Sequence, residues 1–259
     1  MTPRDVPDPD ALLDTAAAWL ARANLAIALT GAGMSTESGI PDFRSKGGLW
    51  TKFDPGEYAN IEAFVDDPEK VWLMVKEMLD TVLPARPNAG HIALAGLEEE
   101  GVIRAVVTQN VDGLHQEAGS KEVIEFHGNC RELSCPGTSC HLRYSSSIYL
   151  EECPPRCKEC DHVLRPEFVF FGEPIPRKAI ERSVALAEAC DVILVAGTSA
   201  VVTPAALLPQ MALQRGARII EVNLEYTVLS PHADITLIGN SGDILPALLE
   251  RVKALRTKG

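Results

Sequence analysis

Apolar side chains along the chain follow two rhythms. Short continuous runs occur at "NLAIALT" (24–30), "VIRAVVT" (102–108), "VIEF" (123–126), "DVILVAG" (191–197), "ARIIEV" (217–222) and "ITLI" (235–238). Such runs fit strands buried on both faces of a parallel sheet. Apolar positions at helical spacing predict helices over residues 10–23, 88–100, 178–189, 204–216 and 242–255. Strands alternating with helices predict an α/β fold, a Rossmann-like doubly wound parallel sheet. Two stretches break the alternation: 38–85, loop and helix with Trp50 and Trp72, and 129–165, rich in cysteine. They predict a second, smaller domain formed by two insertions. The expected division is 1–37, 86–128 and 166–259 for the large domain, and 38–85 with 129–165 for the small one.

The first strand runs into "TGAGMSTESGIPDFRS" (30–45). Gly31-Ala32-Gly33 after a strand lets backbone N–H groups approach a pyrophosphate, although a tight strand-to-helix turn would read the same way. Thr36 stands where a third glycine is expected, and no second strand with an acidic ribose contact follows about 20 residues on. A hydride-transfer dehydrogenase is therefore disfavoured. Asp42, Phe43 and Arg44 set a carboxylate, an aromatic ring and a guanidinium beside the glycine turn; the plain alternative is a solvated Asp42–Arg44 pair.

Other polar groups cluster where apolar runs end, at the carboxyl edge where open α/β sheets bind ligands. "TQNVDGLH" (108–115) puts Gln109, Asn110 and Asp112 there, able to hydrogen-bond a ribose or carboxamide, or to serve as turn residues. "VIEFHGN" ends a strand near His127, a candidate general base because imidazole titrates near neutrality. "AGTSAVV" (196–202) and "EVNLE" (221–225) add small polar groups and Asn223, suited to a second phosphate or a ribose.

Composition narrows the classes. With 36 acidic and 24 basic residues the net charge is −12, against non-specific nucleic-acid binding and compatible with a basic peptide partner. No apolar run reaches the ~18 residues of a membrane span. The N-terminus lacks a signal-peptide pattern, so the expected compartment is the cytoplasm. Six of the seven cysteines fall between Cys130 and Cys160, which points to a local metal site more than to disulfides. Cys157 and Cys160 form a C-x-x-C, half of a tetrahedral thiolate zinc site, and Cys135 with Cys140 is the expected other half. Cys130 or Cys153 could replace one of these, and a redox dithiol is the competing reading. Four thiolates would leave no open position for water, so one structural zinc ion is expected.

Taken together, "GAGMSTESGIPDFRS", "TQNVDGLH", "HGN", the C-x-x-C, "RPEFVFFGE", "GTSAVVTPA" and "VNLE" resemble the sirtuins, NAD-dependent protein-lysine deacylases, in family order from about residue 24 to 245. The pattern is most similar to bacterial and archaeal deacetylase-type members. The resemblance implies that NAD is consumed as a co-substrate. The acyl-lysine carbonyl oxygen attacks the ribose carbon as nicotinamide leaves, and O-acetyl-ADP-ribose and free lysine result.

By the same resemblance, His127 would deprotonate a ribose hydroxyl and Asn110 would orient the ribose, as the catalytic pair. Gly31, Ala32, Gly33, Ser35, Thr36, Asp42, Phe43, Arg44, Gln109, Val111, Asp112, Gly197, Thr198, Ser199, Asn223, Leu224, Glu225 and Asp243 would complete the NAD site. Val169, Phe171, Gly172, Glu173 and Val201 would hold the acyl-lysine peptide as an added strand; core packing is the alternative for Val169, Phe170 and Phe171. Members that prefer succinyl or malonyl lysine carry Tyr and Arg where this chain has Val75 and Met78, which implies a preference for uncharged acyl groups. The family's first cysteine pair is commonly C-x-x-C, whereas here it is C-x4-C. Alternatives at the same site are mono-ADP-ribosyl transfer and long-chain deacylation; a non-catalytic NAD sensor has no need of His127.

Overall fold

The computed structural model describes residues 8–42 and 47–257. Its strands are β1 (Ala26–Thr30), β2 (Ile103–Thr108), β3 (Val123–Glu125), β4 (Gly128–Ser134), β5 (Arg143–Ser145), β6 (Arg165–Phe168), β7 (Val192–Ala196), β8 (Arg218–Asn223) and β9 (Ile235–Ile238). Six of them form one parallel sheet in the order β3-β2-β1-β7-β8-β9. The chain builds outward from β1 to β3, then returns past β1 to build the other half. That reversal creates a crevice between β1 and β7, the place where doubly wound sheets bind ligands.

Every residue of β1 and β7 is buried, as continuous apolar runs require when helices cover both faces. On one face lie α1 (Pro9–Arg22), α5 (Ala89–Glu99) and α9 (Ser241–Arg256), sharing a core that includes Leu20, Leu94, Ile103 and Leu248. The opposite face is covered by α7 (Arg177–Ala189) and α8 (Leu208–Gln214), around Ile27, Leu186, Ile193 and Leu208.

Some expected boundaries move for local reasons. Strand β1 starts at Ala26 because the Asp191 carboxylate takes the Asn24 and Leu25 amides, at 2.7 and 3.1 Å, before the ladder begins. The expected helix 204–216 divides into a 3₁₀ turn, Ala205–Leu207, and α8, where Pro209 sits in the first turn without an amide to donate.

The remaining strands form an antiparallel sheet in the order β5-β4-β6. Short helices α2 (Pro55–Tyr58) and α3 (Ile61–Asp66) lead into α4 (Pro68–Val82), which packs on this sheet. Trp72 on α4 is fully buried and its indole N–H donates to the Leu164 carbonyl at 2.8 Å. The two stretches that broke the alternation thus share one apolar core, with Trp72, Leu79, Leu133 and Phe170 at its centre.

Candidate active site

Strand register brings the expected residues together. Thr30 pairs with Thr108 on one side and with Ala196 on the other, Thr108 pairs with Glu125, and Ala196 pairs with Val222. Gly31, Gln109, His127, Gly197 and Asn223 therefore leave adjacent strands at the same edge. After β1 the chain enters a 3₁₀ helix, Ala32–Ser38, not an α-helix. Glycine is required here for a reason that sequence did not supply. A Cβ on Gly31 would lie 2.6 Å from the Thr198 Cβ, and one on Gly197, at φ +61°, would lie 2.3 Å from the Met34 amide nitrogen. The Gly33 amide donates to the Gly197 carbonyl at 2.8 Å, locking the two turns backbone to backbone.

Asn110 is buried and donates from Nδ2 to the Gly31 carbonyl and to Ser35 Oγ, both at 3.0 Å. Ser35 Oγ in turn donates to Asp112 Oδ2 at 2.7 Å, while Asp112 Oδ1 accepts the Leu114 amide at 2.9 Å. Gln109 Nε2 donates to Thr198 Oγ1 at 3.0 Å, and Asn223 Nδ2 donates to the Thr198 carbonyl at 2.8 Å. The loops after β1, β2, β7 and β8 are thereby cross-linked by side chains. Thr36 donates back to the Gly33 carbonyl at 3.0 Å and holds the turn itself.

His127 is half-buried, with Nδ1 3.1 Å from the Gln109 carbonyl oxygen. A carbonyl only accepts, so Nδ1 carries the proton and Nε2 keeps its lone pair. Burial lowers the His127 pKa, and the bond to Gln109 opposes that shift without cancelling it. The result is a neutral imidazole with a basic nitrogen at the sheet edge, the chemistry of a general base.

Other expected residues occupy the same edge less tightly. Ala32 and Val111 are half-buried and Ser199, Leu224 and Glu225 are exposed. Asp42 is half-buried just before the segment containing Phe43 and Arg44, which lie outside the described residues. Asp243 is in the first turn of α9, where Glu37 Oε2 also accepts the Gly242 amide at 2.7 Å.

A cavity of about 120 Å³ runs from Ala32, Ser35, Asn110, Val111 and Asp112 to Leu49, Met78, Thr81 and Val82. Met78 thus faces the cavity, whereas Val75 is wholly buried in the adjoining core. Lys52 and Glu77 also line it, ion-paired to each other.

Of the expected peptide contacts, Val201 and Phe171 are exposed, at 45% and 51%, while Phe170 is core. Val169 is half-buried and its amide donates to the His127 carbonyl at 2.9 Å. The Phe171 amide and carbonyl are bonded to Ala59 and Ile61 and are not free to pair with an added strand. Glu173 grips Arg165 through both oxygens, at 2.7 and 2.9 Å, and also accepts the Phe170 amide. Burial raises the Glu173 pKa, yet Arg165 and that amide outweigh it and leave the carboxyl below its usual range. Its side chain is committed to shaping the loop.

Four cysteine sulfurs, Cys135, Cys140, Cys157 and Cys160, lie within 4.8 Å of one another. Cys135 and Cys160 approach to 3.2 Å, and Cys140 and Cys157 to 3.6 Å. Thiolates about 2.3 Å from one tetrahedral zinc ion sit roughly 3.8 Å apart, so the donor set fits such an ion. Cys130 is buried in the core beside this cluster and Cys153 is exposed elsewhere, and neither joins it. The Tyr144 hydroxyl, 3.4 Å from Cys157 Sγ, lowers that thiol's pKa, whereas burial pushes Cys135 up to about 12, so with no ion bound the four sulfurs share fewer than four negative charges.

Comparison with known proteins decides the family. The family model described as the Sir2 family matches residues 31–204. This chain belongs to the Sir2 family. It is 48% identical over 247 residues to an NAD-dependent protein deacylase of Thermococcus kodakarensis, covering 93% of this chain and 96% of the relative. An NAD-dependent protein deacylase 2 of Pyrobaculum aerophilum is 47% identical over 240 residues, covering 92% and 96%. Among solved structures, a Sir2 homologue in complex with NAD superposes with a TM-score of 0.85 at 45% identity, covering 95% of this chain and 94% of that one.

Several residues of this Sir2 site lay inside or beside the quoted motifs, but the sequence assigned them no role. Thr30 and Thr108 end β1 and β2 and bond to each other at 2.9 Å. Arg165 organises the 165–173 loop, and His91 and His115 are buried under the strand ends. His91 appears as a polar member of the apolar stretch "NAGHIALAGL", and His115 closes "TQNVDGLH", but neither position reveals its partner.

Proposed function

We propose that this chain is an NAD-dependent protein-lysine deacetylase that releases nicotinamide and O-acetyl-ADP-ribose. The observation that carries the reading is the His127 imidazole, fixed through Nδ1 by the Gln109 carbonyl beside the buried Asn110–Ser35–Asp112 chain. The NAD-dependent deacylases it resembles, and the solved Sir2 homologue with NAD, support it independently.

Bound NAD supplies an electrophilic ribose carbon and nicotinamide as leaving group. Gly31, Gly33 and Gly197, whose amides bond to neighbouring carbonyls, shape the pyrophosphate turn, and Ala32, Thr198 and Ser199 offer backbone and hydroxyl donors there. Asn223, Leu224, Glu225 and Asp243 serve the adenosine end. Ser35, Asp112 and Val111 receive the carboxamide, and Thr36, Asp42, Phe43 and Arg44 are proposed as further NAD contacts. Gln109 and Asn110 hold the nicotinamide-side ribose, and His127 Nε2 takes a proton from its hydroxyl.

The acyl-lysine peptide enters as a strand beside Val169, Phe171 and Gly172, with Val201 opposite and Glu173 positioning the loop through Arg165. Residues 1–37, 86–128 and 166–259 are proposed as the NAD-binding domain, and 38–85 with 129–165 as the small domain. Cys135, Cys140, Cys157 and Cys160 would hold one zinc ion, organising the small domain away from the chemistry. Four cysteines grouped as a metal site are in keeping with a cytoplasmic setting. No helix among the described residues is long and apolar enough to cross a membrane.

Among the described residues lining the cavity, Met78 is apolar and Lys52 is already paired with Glu77, so none of them answers a distal acyl carboxylate, which favours acetyl over succinyl groups. The test is incubation with NAD and matched acetyl- and succinyl-lysine peptides, with product masses read. Nicotinamide release that requires acyl-lysine, with O-acetyl-ADP-ribose formed and the acetyl peptide faster, is expected. Nicotinamide released without acyl-lysine, with ADP-ribose attached to protein, would establish the transferase instead.

A further inference from the structure

Two histidines under the site have no place in the mechanism above. His91, at the N-terminus of α5, and His115, in the short helix α6 (Leu114–Glu117), are both fully buried, with ring centroids 4.8 Å apart. Each has one ring nitrogen with a partner and one without: His91 Nε2 and His115 Nδ1 are buried and unbonded.

The partners determine where the protons sit. His91 Nδ1 accepts the Asn88 amide at 3.3 Å, so its proton is on Nε2. His115 Nε2 is 2.9 Å from Thr30 Oγ1, and that hydroxyl spends its own proton on Thr108 Oγ1, also at 2.9 Å. His115 must therefore be the donor, with its proton on Nε2 and a bare lone pair on Nδ1. The two unbonded nitrogens are thus of opposite kind, one N–H and one lone pair. At the far end, Thr108 Oγ1 accepts the Asn110 amide at 3.1 Å.

We propose that a neutral, tautomer-locked His115 heads a hydrogen-bond chain through Thr30 and Thr108 to the Asn110 backbone, with the neutral His91 ring packed against it, and that His115 is a positioning residue for Asn110. The inference rests on the ribose-orienting role proposed for Asn110. Burial keeps both rings uncharged, lowering His115 to about 3 and His91 to about 4. The Asp112 carboxylate pulls His91 the other way without reversing the shift, because desolvation of the buried ring is the larger effect. A neutral ring matters because a charged His115 would carry a proton on both nitrogens and present a second donor to an interior with no acceptor for it.

The chain is tested on the intact protein by long-range proton–nitrogen correlation spectra of the histidine rings at pH 7. Both His91 and His115 should be neutral with the proton on Nε2; a charged ring, or an Nδ1-protonated tautomer at either position, overturns the assignment. This readout does not depend on turnover. A wild-type protein without deacetylase activity would refute the proposed function and leave the tautomers standing.

The positioning role is tested by substitution. His115→Gln keeps an N–H near the ε position and should hold kcat within about threefold. His115→Leu cannot donate to Thr30 and should lower kcat by about tenfold, with the KM for peptide little changed, the effect of one lost positioning hydrogen bond. Equal kcat in the two variants overturns it.

Discussion

His127 Nδ1 and the Gln109 carbonyl oxygen are 3.1 Å apart, which ties the candidate base to the end of the strand that carries Asn110. His127→Ala removes that base while leaving the Asn110 bonds to Gly31 and Ser35 in place. Deacetylation should fall by ~10²–10⁴-fold with the melting temperature and NAD binding little changed. Because burial lowers the His127 pKa, the acid limb of the wild-type kcat/KM profile should lie below the ordinary 6.5. Single-turnover assays across pH check both; unaltered turnover in the variant would remove His127 from the chemistry.

The glycines at the crevice act mainly through packing. Gly197→Ala puts a Cβ at 2.3 Å from the Met34 amide in a left-handed backbone, and should destabilise by about 3 kcal/mol or more. Gly216 has a similar backbone, φ +89°, and nothing within 4 Å, so Gly216→Ala should cost only the conformational strain, about 1–2 kcal/mol. Urea denaturation of the two variants measures the difference. Equal losses would mean that the two turns can part without penalty.

Zinc content distinguishes the cysteines. Cys135 lies in the four-sulfur cluster and Cys153 does not. Cys135→Ser should lose zinc and loosen the β5-β4-β6 sheet, whereas Cys153→Ser should retain one ion per chain. Elemental analysis of dialysed proteins decides it, and zinc lost only from Cys153→Ser would move the site.

Acid should weaken the fold before carboxylates titrate. His91 and His115 have folded pKa values of about 4 and about 3, against 6.5 for the free side chain. As pH falls through 6.5 the unfolded chain takes up protons on these rings and the folded protein does not. Their contribution is therefore complete above 6.5 and declines on acidification, by about 1.4 kcal/mol per ring for each pH unit once well below 6.5. The denaturant midpoint should drop between pH 6.5 and about 5. A flat midpoint there would mean that the rings reach solvent.

Much of this protein is written locally. The six parallel strands are legible because a strand buried on both faces must be apolar throughout, and β9 matches its expected span without adjustment. Gln109, Asn110, His127 and Asn223 stand out because each interrupts or ends such a run, and runs end where ligands bind. Strands β4, β5 and β6 are harder to see: β4 is seven residues long but buries only Cys130 and Leu133, β5 has three residues, and β6 contains Pro166.

Sequence alone therefore determined the doubly wound class, the edge that bears the chemistry and the cysteines available to a metal. Tertiary structure alone decided which partners those residues take. Glu173 looked like a peptide contact and is held by Arg165, and Gly31 looked like a phosphate turn and is also the bed for Thr198. His91 and His115, far apart in the chain, meet beneath Asn110. The reason is physical: apolar period is a property of neighbouring residues, whereas a buried hydrogen bond or a close backbone approach exists only once distant strands have come into register.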